Sequence, residues 1–500
     1  MTQDQALAIL KTGANVFLTG EPGSGKTFTV NSYINYLRSQ KINTAVTAST
    51  GIAATHLNGR TIHSWSGIGI KKELTPRDLA VLCNNDQLVS RVQKTKVLII
   101  DEISMLDAGV LSAVNLALKT ICSSTKPFGG KQVVFVGDFF QLPPVVRLGE
   151  TLSFAFESTA WQETNPTICY LTEQHRQNDS TFLSFLSAIR RGSIDDLDFS
   201  SYLPGNTNID PTITRLYPHN LDVDSVNSKR LAVIPEDEYI FKMTSEGKKS
   251  LVDQLKKGCL SPEILNLKKG ARVMFTKNSF DQSFVNGTLG KVIGFSEDGL
   301  PIVLTTGVKE IEVDNMEWAV EDNDKVLASI SQIPLRLAWA ITVHKSQGLT
   351  MDAAVMDLSH AFEYGQGYVA ISRVRSFSGL FLLGLNRRAL EVHPKILEID
   401  TVFHKDSLAI ENWIATILSS ELLNKHQDFI KASGGKKEKS YSVSAIRDTH
   451  KNAYRSWSQD DERELMKRYK DGEQISLISK IFGRQIGSIR ARLIKLGLIN

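Results

Sequence analysis

Cysteine is scarce in this chain: the four thiols Cys83, Cys122, Cys169 and Cys259 stand far apart in 500 residues. That spacing leaves no visible disulfide framework or metal knuckle, and it suits a reducing compartment. Long apolar runs are also missing. No stretch approaches the roughly 20 residues that cross a bilayer, and Met1-Thr2-Gln3-Asp4-Gln5 lacks the basic-then-apolar order of a secretory leader. The expectation is a chain with no membrane contact and no targeting signal, resident in the cytoplasm. Nor does charge of one sign dominate, since the net charge is only +4. Its distribution is uneven, however. Residues 431–500 hold 16 Lys and Arg against 8 Asp and Glu, which leaves 42 against 46 in the first 430 residues. A cationic terminal module suggests a polyanionic partner. With 42% hydrophobic residues, a chain of this length predicts about three to four domains.

Residues 20–27 read Gly-Glu-Pro-Gly-Ser-Gly-Lys-Thr. Val16-Phe17-Leu18 before them has the character of a buried strand, and Thr27–Leu37 after them carries apolar residues at helical spacing. Strand, glycine-rich loop and helix in that order form a phosphate cradle. Gly20, Gly23 and Gly25 let backbone N–H groups approach the phosphates, with Ser24 and Phe28 at the loop and helix start. Lys26 can reach the β and γ phosphates, and the Thr27 hydroxyl suits Mg²⁺. Glu21 is out of place beside a triphosphate, and must point away or be offset by a cation.

A second apolar run, Lys96–Ile100, delivers Asp101 and Glu102. Asp101 suits Mg²⁺, and Glu102 suits orienting and deprotonating the water that attacks the γ phosphate. A third run, Gln132–Val136, enters Gly137-Asp138-Phe139-Phe140-Gln141-Leu142-Pro143-Pro144, where the Gln141 amide could sense that phosphate. Three strands ending in polar residues converge on one ligand at their carboxyl ends. The segments Thr47–Ala54 and Asn58–Trp65 are not needed for hydrolysis. Their hydroxyls, His63 and Trp65 resemble a track for single-stranded nucleic acid.

Further on, Thr212–Tyr217 reads as a strand and Asp222–Leu231 as a helix, and no second phosphate loop appears. Two later segments run from Ile333 to Thr350 and from Tyr368 to Val374. With these, the chain resembles a superfamily-one 5′-to-3′ DNA helicase of the petite-integration-frequency (PIF) type over about residues 3–390. The resemblance is carried most closely by Asp101–Leu106, Gly137–Pro144 and His344–Gly348. It implies an α/β fold with two RecA-like P-loop motor domains, residues 1–195 and 196–430. It further implies a strand-separating wedge near residues 57–75 and a signature segment at Leu106–Gly137. Gln3 takes the position of the adenine-reading glutamine, with Gln5 as a substitute. Arg176 and Arg373 take those of two arginines inserted against the γ phosphate. Thr50, His63, Thr342, His344 and Ser346 fall in segments that touch the bound strand's backbone.

Residues 267–330 alternate short strands with Asn286-Gly287 and Asp298-Gly299 turns, which predicts a small β-barrel resembling the family's SH3-like insertion. The stretch 431–446 reads as a linker. Beyond it, residues 447–500 predict three helices, starting at a capping box after Trp457 and turning at Gly483-Arg484-Gln485. This unit resembles a helix-turn-helix of the SANT or homeodomain-like type, with Arg484 and Arg492 as candidate DNA contacts.

The reading is a monomeric ATP- and Mg²⁺-dependent helicase on single-stranded, duplex and forked DNA. The resemblance places it at the nucleoid if the chain is prokaryotic, in replication, repair, recombination or telomere and G-quadruplex maintenance. Alternatives are an RNA-directed motor, a RecD-like translocase subunit, and a P-loop ATPase switch that recruits partners without unwinding.

Overall fold

The computed structural model describes residues 1–56, 59–69, 71–145, 150–174, 179–193, 209–210, 213–279, 283–284, 286–305, 308–322, 325–435, 452, 457–484 and 486–498. Two units are distinguished, Met1–Gly435 and Lys436–Asn500.

The first unit starts on a six-stranded, all-parallel sheet. Its strands are β1 (Val16–Gly20), β2 (Thr44–Ala48), β3 (Arg60–Thr61), β4 (Val97–Asp101), β5 (Gln132–Val136) and β6 (Thr167–Leu171), in the order β3-β2-β4-β5-β1-β6. β1 and β5 are buried along their whole length, as strands covered by helices on both faces must be. Val16, Leu18, Val97, Ile99, Val134 and Val136 pack in one core with Tyr33 and Leu37. Phe17, Leu98, Ile100, Val133 and Phe135 enter a second core on the other face. The strand order sets the carboxyl ends of β4, β5 and β1 side by side, where the cleft forms.

Residues 60–66, inside the expected wedge, do not stand apart from this domain. They make the edge strand β3 and the helix Ile62–Ser66, whose Ile62 and Trp65 are buried in the core. Residues 57–58 and 70 of that segment lie outside the described residues.

A second sheet has four parallel strands in the order Ala340–Thr342, Arg215–Tyr217, Ala354–Leu358, Leu380–Leu385. Between its strands an antiparallel insertion begins at Glu238 rather than near 267. Five strands from Arg272 to Leu337 form one sheet, Lys325–Gln332 lies between Met316–Asp322 and Thr244–Gly247 and pairs with both, and Glu238–Lys242 pairs with Ile264–Lys268. The insertion has its own apolar core around Val273, Phe275, Val292 and Leu335. Its helix Lys249–Gly258 meets the first domain at glycine. A Cβ on Gly51 would lie 2.7 Å from the Gly258 Cα.

The helices Pro394–Thr416 and Ser419–Ala432, counted by sequence with the second domain, pack on the first. The Tyr170 N–H donates to Ser407 Oγ at 3.0 Å, Phe403 meets Phe17 at 5.2 Å, and Phe429 lies against Gly13. No helix among the described residues is long and apolar enough to cross a membrane.

The second unit has helices Gln459–Lys470, Ile475–Phe482 and Ile486–Lys495 around Leu465, Ile478, Phe482, Ile489 and Leu493. Ser458 and Asp461 form the expected capping box, and Gly483 ends the second helix at φ 56°. Most of the expected linker, residues 436–446, lies outside the described residues, and its first residues close the helix Ser419–Ala432. The two candidate arginines are engaged within the unit. Arg484 is 3% exposed, stacked at 4.2 Å over Trp457 and paired with Asp461 at 3.6 Å. Arg492 pairs with Glu462 and also lies over Trp457. Both arginines therefore hold the three helices together instead of presenting charge to a partner. The third helix exposes Arg490 and Lys495 in their place.

Replacing Arg484 with Ala should destabilise this unit by about 2 to 3 kcal/mol, the sum of a desolvated cation–π contact of about 2 and a half-exposed ion pair of at most about 1. A lower urea midpoint for the unit's transition is the expected result. An unchanged midpoint would return Arg484 to the list of surface cations.

Candidate active site

The phosphate loop leaves β1 at Gly20 and enters the helix Lys26–Ser39 at Gly25. Gly23 and Gly25 hold φ of 91° and 88°, a left-handed backbone that favours glycine. A Cβ on Gly25 would also strike the Gln3 amide at 2.1 Å, so Gln3 lies across the loop as expected. Ser24 Oγ is buried with no hydrogen-bond partner. Lys26 Nζ donates to the carbonyls of Gly20 and Glu21 at 2.7 and 3.0 Å, contacts that incoming phosphate oxygens can replace. Thr27 and Phe28 are exposed at the mouth. Glu21 turns from the phosphates: Gln174 Nε2 donates to it at 2.8 Å, Ser187 Oγ at 3.3 Å, and Arg190 Nε stands 3.9 Å away.

Gly23, Gly25, Lys26 and Thr27 line a cleft of about 370 Å³ with Glu102, Gln141, Gly348, Thr350, Arg373 and Arg375. Asp101 and Glu102 sit at the end of β4. Burial pushes the Asp101 carboxyl up from its usual range, opposed by the Glu102 N–H at 2.9 Å and by Lys26. Burial and then the Asp101 charge push Glu102 up, with Lys26 and Arg373 acting the other way. A raised pKa is what a group that takes a proton from water requires. Glu102 is also held at φ 51°, a conformation uncommon for a side-chain-bearing residue, at the start of a short 3₁₀ turn. The Ser49 hydroxyl braces it by donating to the Glu102 carbonyl at 2.8 Å.

The second domain closes the cleft directly. Gln347 Nε2 donates to Glu102 Oε2 at 2.9 Å and to Gln141 Oε1 at 3.4 Å. Arg373 lines the same cleft and is 1% exposed. Its guanidinium donates to the carbonyls of Val369 and Leu349 and to Ser372 Oγ. Arg176 lies outside the described residues. Gln347, Thr350, Arg375 and Arg190 were missing from the sequence-based list. Gln347 stands in a segment the sequence did mark, but its partners are 245 and 206 residues away.

The nucleic-acid candidates divide. Thr50 accepts from the Ala53 N–H and caps a helix beside β2. His63 is largely buried, which lowers its pKa, and His344 Nε2 faces Glu363 at 3.3 Å. Thr342 and Ser346 depart from expectation. Thr342 is 2% exposed and its hydroxyl accepts from the Lys345 N–H, while the fully buried Ser346 donates to the Val343 carbonyl. Both side chains shape the turn that presents His344 and Lys345. Among the described residues no group of His, Cys, Asp and Glu forms a metal cluster.

Comparison with known proteins agrees with this geometry. Residues 3–199 match the PIF1-like helicase family and residues 250–295 match the 2B domain of DNA helicase Pif1. An ATP-dependent DNA helicase Pif1 of Psychrobacter is 43% identical across 92% of this chain and 79% of its own length. Pif1 of Bacteroides in complex with ADP-AlF4 is 30% identical, covers 81% of this chain and 96% of its own, and has a TM-score of 0.70. The Bacteroides enzyme in complex with ADP-AlF3 and single-stranded DNA is also 30% identical over 81% of this chain and 96% of its own, with a TM-score of 0.57. The chain belongs to the Pif1 family of ATP-dependent DNA helicases.

Proposed function

We propose that this chain hydrolyses ATP in the cleft between its two parallel-sheet domains and converts closing and opening into 5′-to-3′ movement along single-stranded DNA, parting duplex or forked DNA ahead. The observation that carries the reading is Gln347. One side chain of the second domain touches both Glu102 and Gln141 of the first. Separating the domains must break these contacts, so the state of the phosphate site and the spacing of the domains are one variable.

In the closed cleft the loop amides and Lys26 bind the phosphates, and Gln3 lies where it can read the base. Glu102 takes the proton from the attacking water, and Gln141 with Gln347 orients it. Arg373, with Arg176 as the second arginine, turns toward the charge that grows on the transferred phosphoryl group. Thr27 and Asp101 would hold Mg²⁺, which supplies charge neutralisation at the phosphate oxygens. The buried, unpartnered Ser24 Oγ, the glycine cradle and the adjacent carboxylates fit a metal-bound nucleotide. Thr50, His63 and His344 face the strand's backbone, and the wedge is read at residues 57–75, where the packed residues 60–66 form its base. Polarity follows from family membership. The reading extends to a monomer in the cytoplasm, at the nucleoid in a prokaryote, serving replication, repair, recombination or G-quadruplex maintenance.

Lys26→Ala and Glu102→Gln should each lower DNA-stimulated turnover by about 10³-fold or more, the scale of removing a group that stabilises the transition state, and Lys26→Ala should also weaken ATP binding. Glu102→Gln should keep its affinity for ATP and single-stranded DNA, because the cradle is intact. Unimpaired hydrolysis in either variant would contradict the assignment. The wild-type protein should unwind duplexes carrying a 5′ single-stranded tail and leave 3′-tailed ones paired; the reverse preference would overturn the polarity.

The second unit is read as the duplex-binding module, through Arg490 and Lys495. A chain ending at Gly435 should retain single-strand-stimulated hydrolysis and bind forked DNA with a shallower dependence on salt, since fewer phosphates are neutralised. Equal salt slopes for the two lengths would favour a protein-docking role.

A further inference from the structure

Arg190, the last residue of the helix Ser180–Arg190, is 5% exposed and surrounded by polar groups from both motor domains. Its Nη1 donates to the two Asp138 carboxylate oxygens at 2.9 Å each and to the Tyr368 hydroxyl at 3.0 Å. Nη2 donates to the Tyr170 hydroxyl at 2.5 Å. Glu21 Oε1 stands 3.9 Å from Nε, Asp400 Oδ1 stands 4.0 Å from Nη2, and the guanidinium carbon lies 3.8 Å from the centre of the Phe140 ring.

A buried ion pair is a poor means of adding stability. Desolvating two charges costs several kcal/mol per ion, and apolar residues of similar volume do as well or better. What a guanidinium does provide is a planar fork that fixes several partners at set angles. The partners are the informative part. Glu21 belongs to the phosphate loop. Asp138 begins the loop that ends in Gln141, whose N–H donates to the Asp138 carbonyl at 3.0 Å and whose Nε2 lies 3.4 Å from Asp138 Oδ2. Tyr368 belongs to the helix Gln366–Ile371, which leads into Arg373. That helix touches the Gln141 loop a second time. Gly365, its N-terminal cap at φ 74°, sits so close that a Cβ would lie 2.5 Å from the Phe140 carbonyl and 2.6 Å from that of Gln141.

We propose that Arg190 is a positioning residue for ATP hydrolysis, locking the Asp138–Gln141 loop of the first domain to the arginine-bearing helix of the second so that Gln141 and Arg373 address one γ phosphate. Arg190 does not line the cleft that holds the phosphates, so it acts through Asp138 and Tyr368. Polar contacts then run unbroken from Tyr368 through Arg190, Asp138, Gln141 and Gln347 to Glu102. The inference rests on the cleft being the site of ATP hydrolysis, which DNA-stimulated hydrolysis by the wild-type chain tests separately.

The experiment measures kcat and KM for ATP with saturating single-stranded DNA, binding of a non-hydrolysable ATP analogue, and the unfolding temperature. The full-length variants are Arg190→Met, Arg190→Lys and Tyr368→Phe. Arg190→Met removes the fork and keeps the volume. It should lose roughly ten- to a hundred-fold in kcat, the scale of misplacing a reacting group by about 1 Å, with analogue affinity near wild type and a lower unfolding temperature, because Asp138 is left buried without its cation. Tyr368→Phe deletes one interdomain hydrogen bond and should lower kcat several-fold with KM unchanged. Arg190→Lys, which keeps the charge but not the fork, should fall between Arg190→Met and wild type. With wild-type hydrolysis intact, normal kcat in Arg190→Met or in Tyr368→Phe overturns the proposal. A loss carried equally by KM and kcat in Tyr368→Phe, where the Arg190–Asp138 pair is intact, also overturns it, since that is the mark of a merely structural residue.

Discussion

Two adjacent carboxylates at the end of one strand constrain everything around them. Asp101 and Glu102 leave β4 after four buried apolar residues, at a point where little water remains to solvate a negative charge. Lys26 and Arg373 offset them from opposite domains. The Ser49 hydroxyl, the backbone at Glu102 and the Gln347 amide complete their surroundings. The same burial that raises the Glu102 carboxyl ties it to the second domain, because part of what satisfies the carboxylate arrives only with that domain.

From this follows a division of labour in the fold. The parallel sheet of the first domain supplies precision, with β1, β4 and β5 fixed by cores on both faces. The second sheet supplies groups that can leave, namely Gln347 and Arg373. The antiparallel insertion is anchored in its own core and meets the first domain where Gly51 and Gly258 allow backbone to approach backbone. Thr50, in the candidate strand track, is the residue next to that contact, so the insertion and the track share a border.

Much of this was legible in the sequence wherever spacing is local. The phosphate loop, the two carboxylates and Gln141 each sit within a few residues of a recognisable strand, and the structure brings them to one cleft. The short strands expected within residues 267–330 include Arg272–Phe275, Leu289–Phe295, Pro301–Thr305 and Glu310–Glu312. Long-range pairing was not legible. The strand Glu238–Lys242 is largely exposed and becomes a strand only through pairing with Ile264–Lys268, so the insertion began earlier than its pattern indicated. Arg190 ends an ordinary amphipathic helix, and its role depends on Asp138 and Tyr368, 52 and 178 residues distant. Arg484 and Arg492 misled in the opposite direction. A cation near the third helix reads as a phosphate contact until Trp457 is seen beneath it. Ser346 was similar, since its hydroxyl is consumed by its own turn.

The central claim is that nucleotide state sets the spacing of the two motor domains. Cys83 is exposed on the first domain, and Leu383 is 49% exposed on the second sheet. With Cys122 and Cys259 replaced by Ser, spin labels at Cys83 and at Leu383→Cys report the distance across the cleft. A non-hydrolysable ATP analogue with single-stranded DNA should give one narrow, short distance, and ADP a longer and broader distribution. The same distribution in the nucleotide-free, analogue-bound and ADP-bound protein would contradict the account.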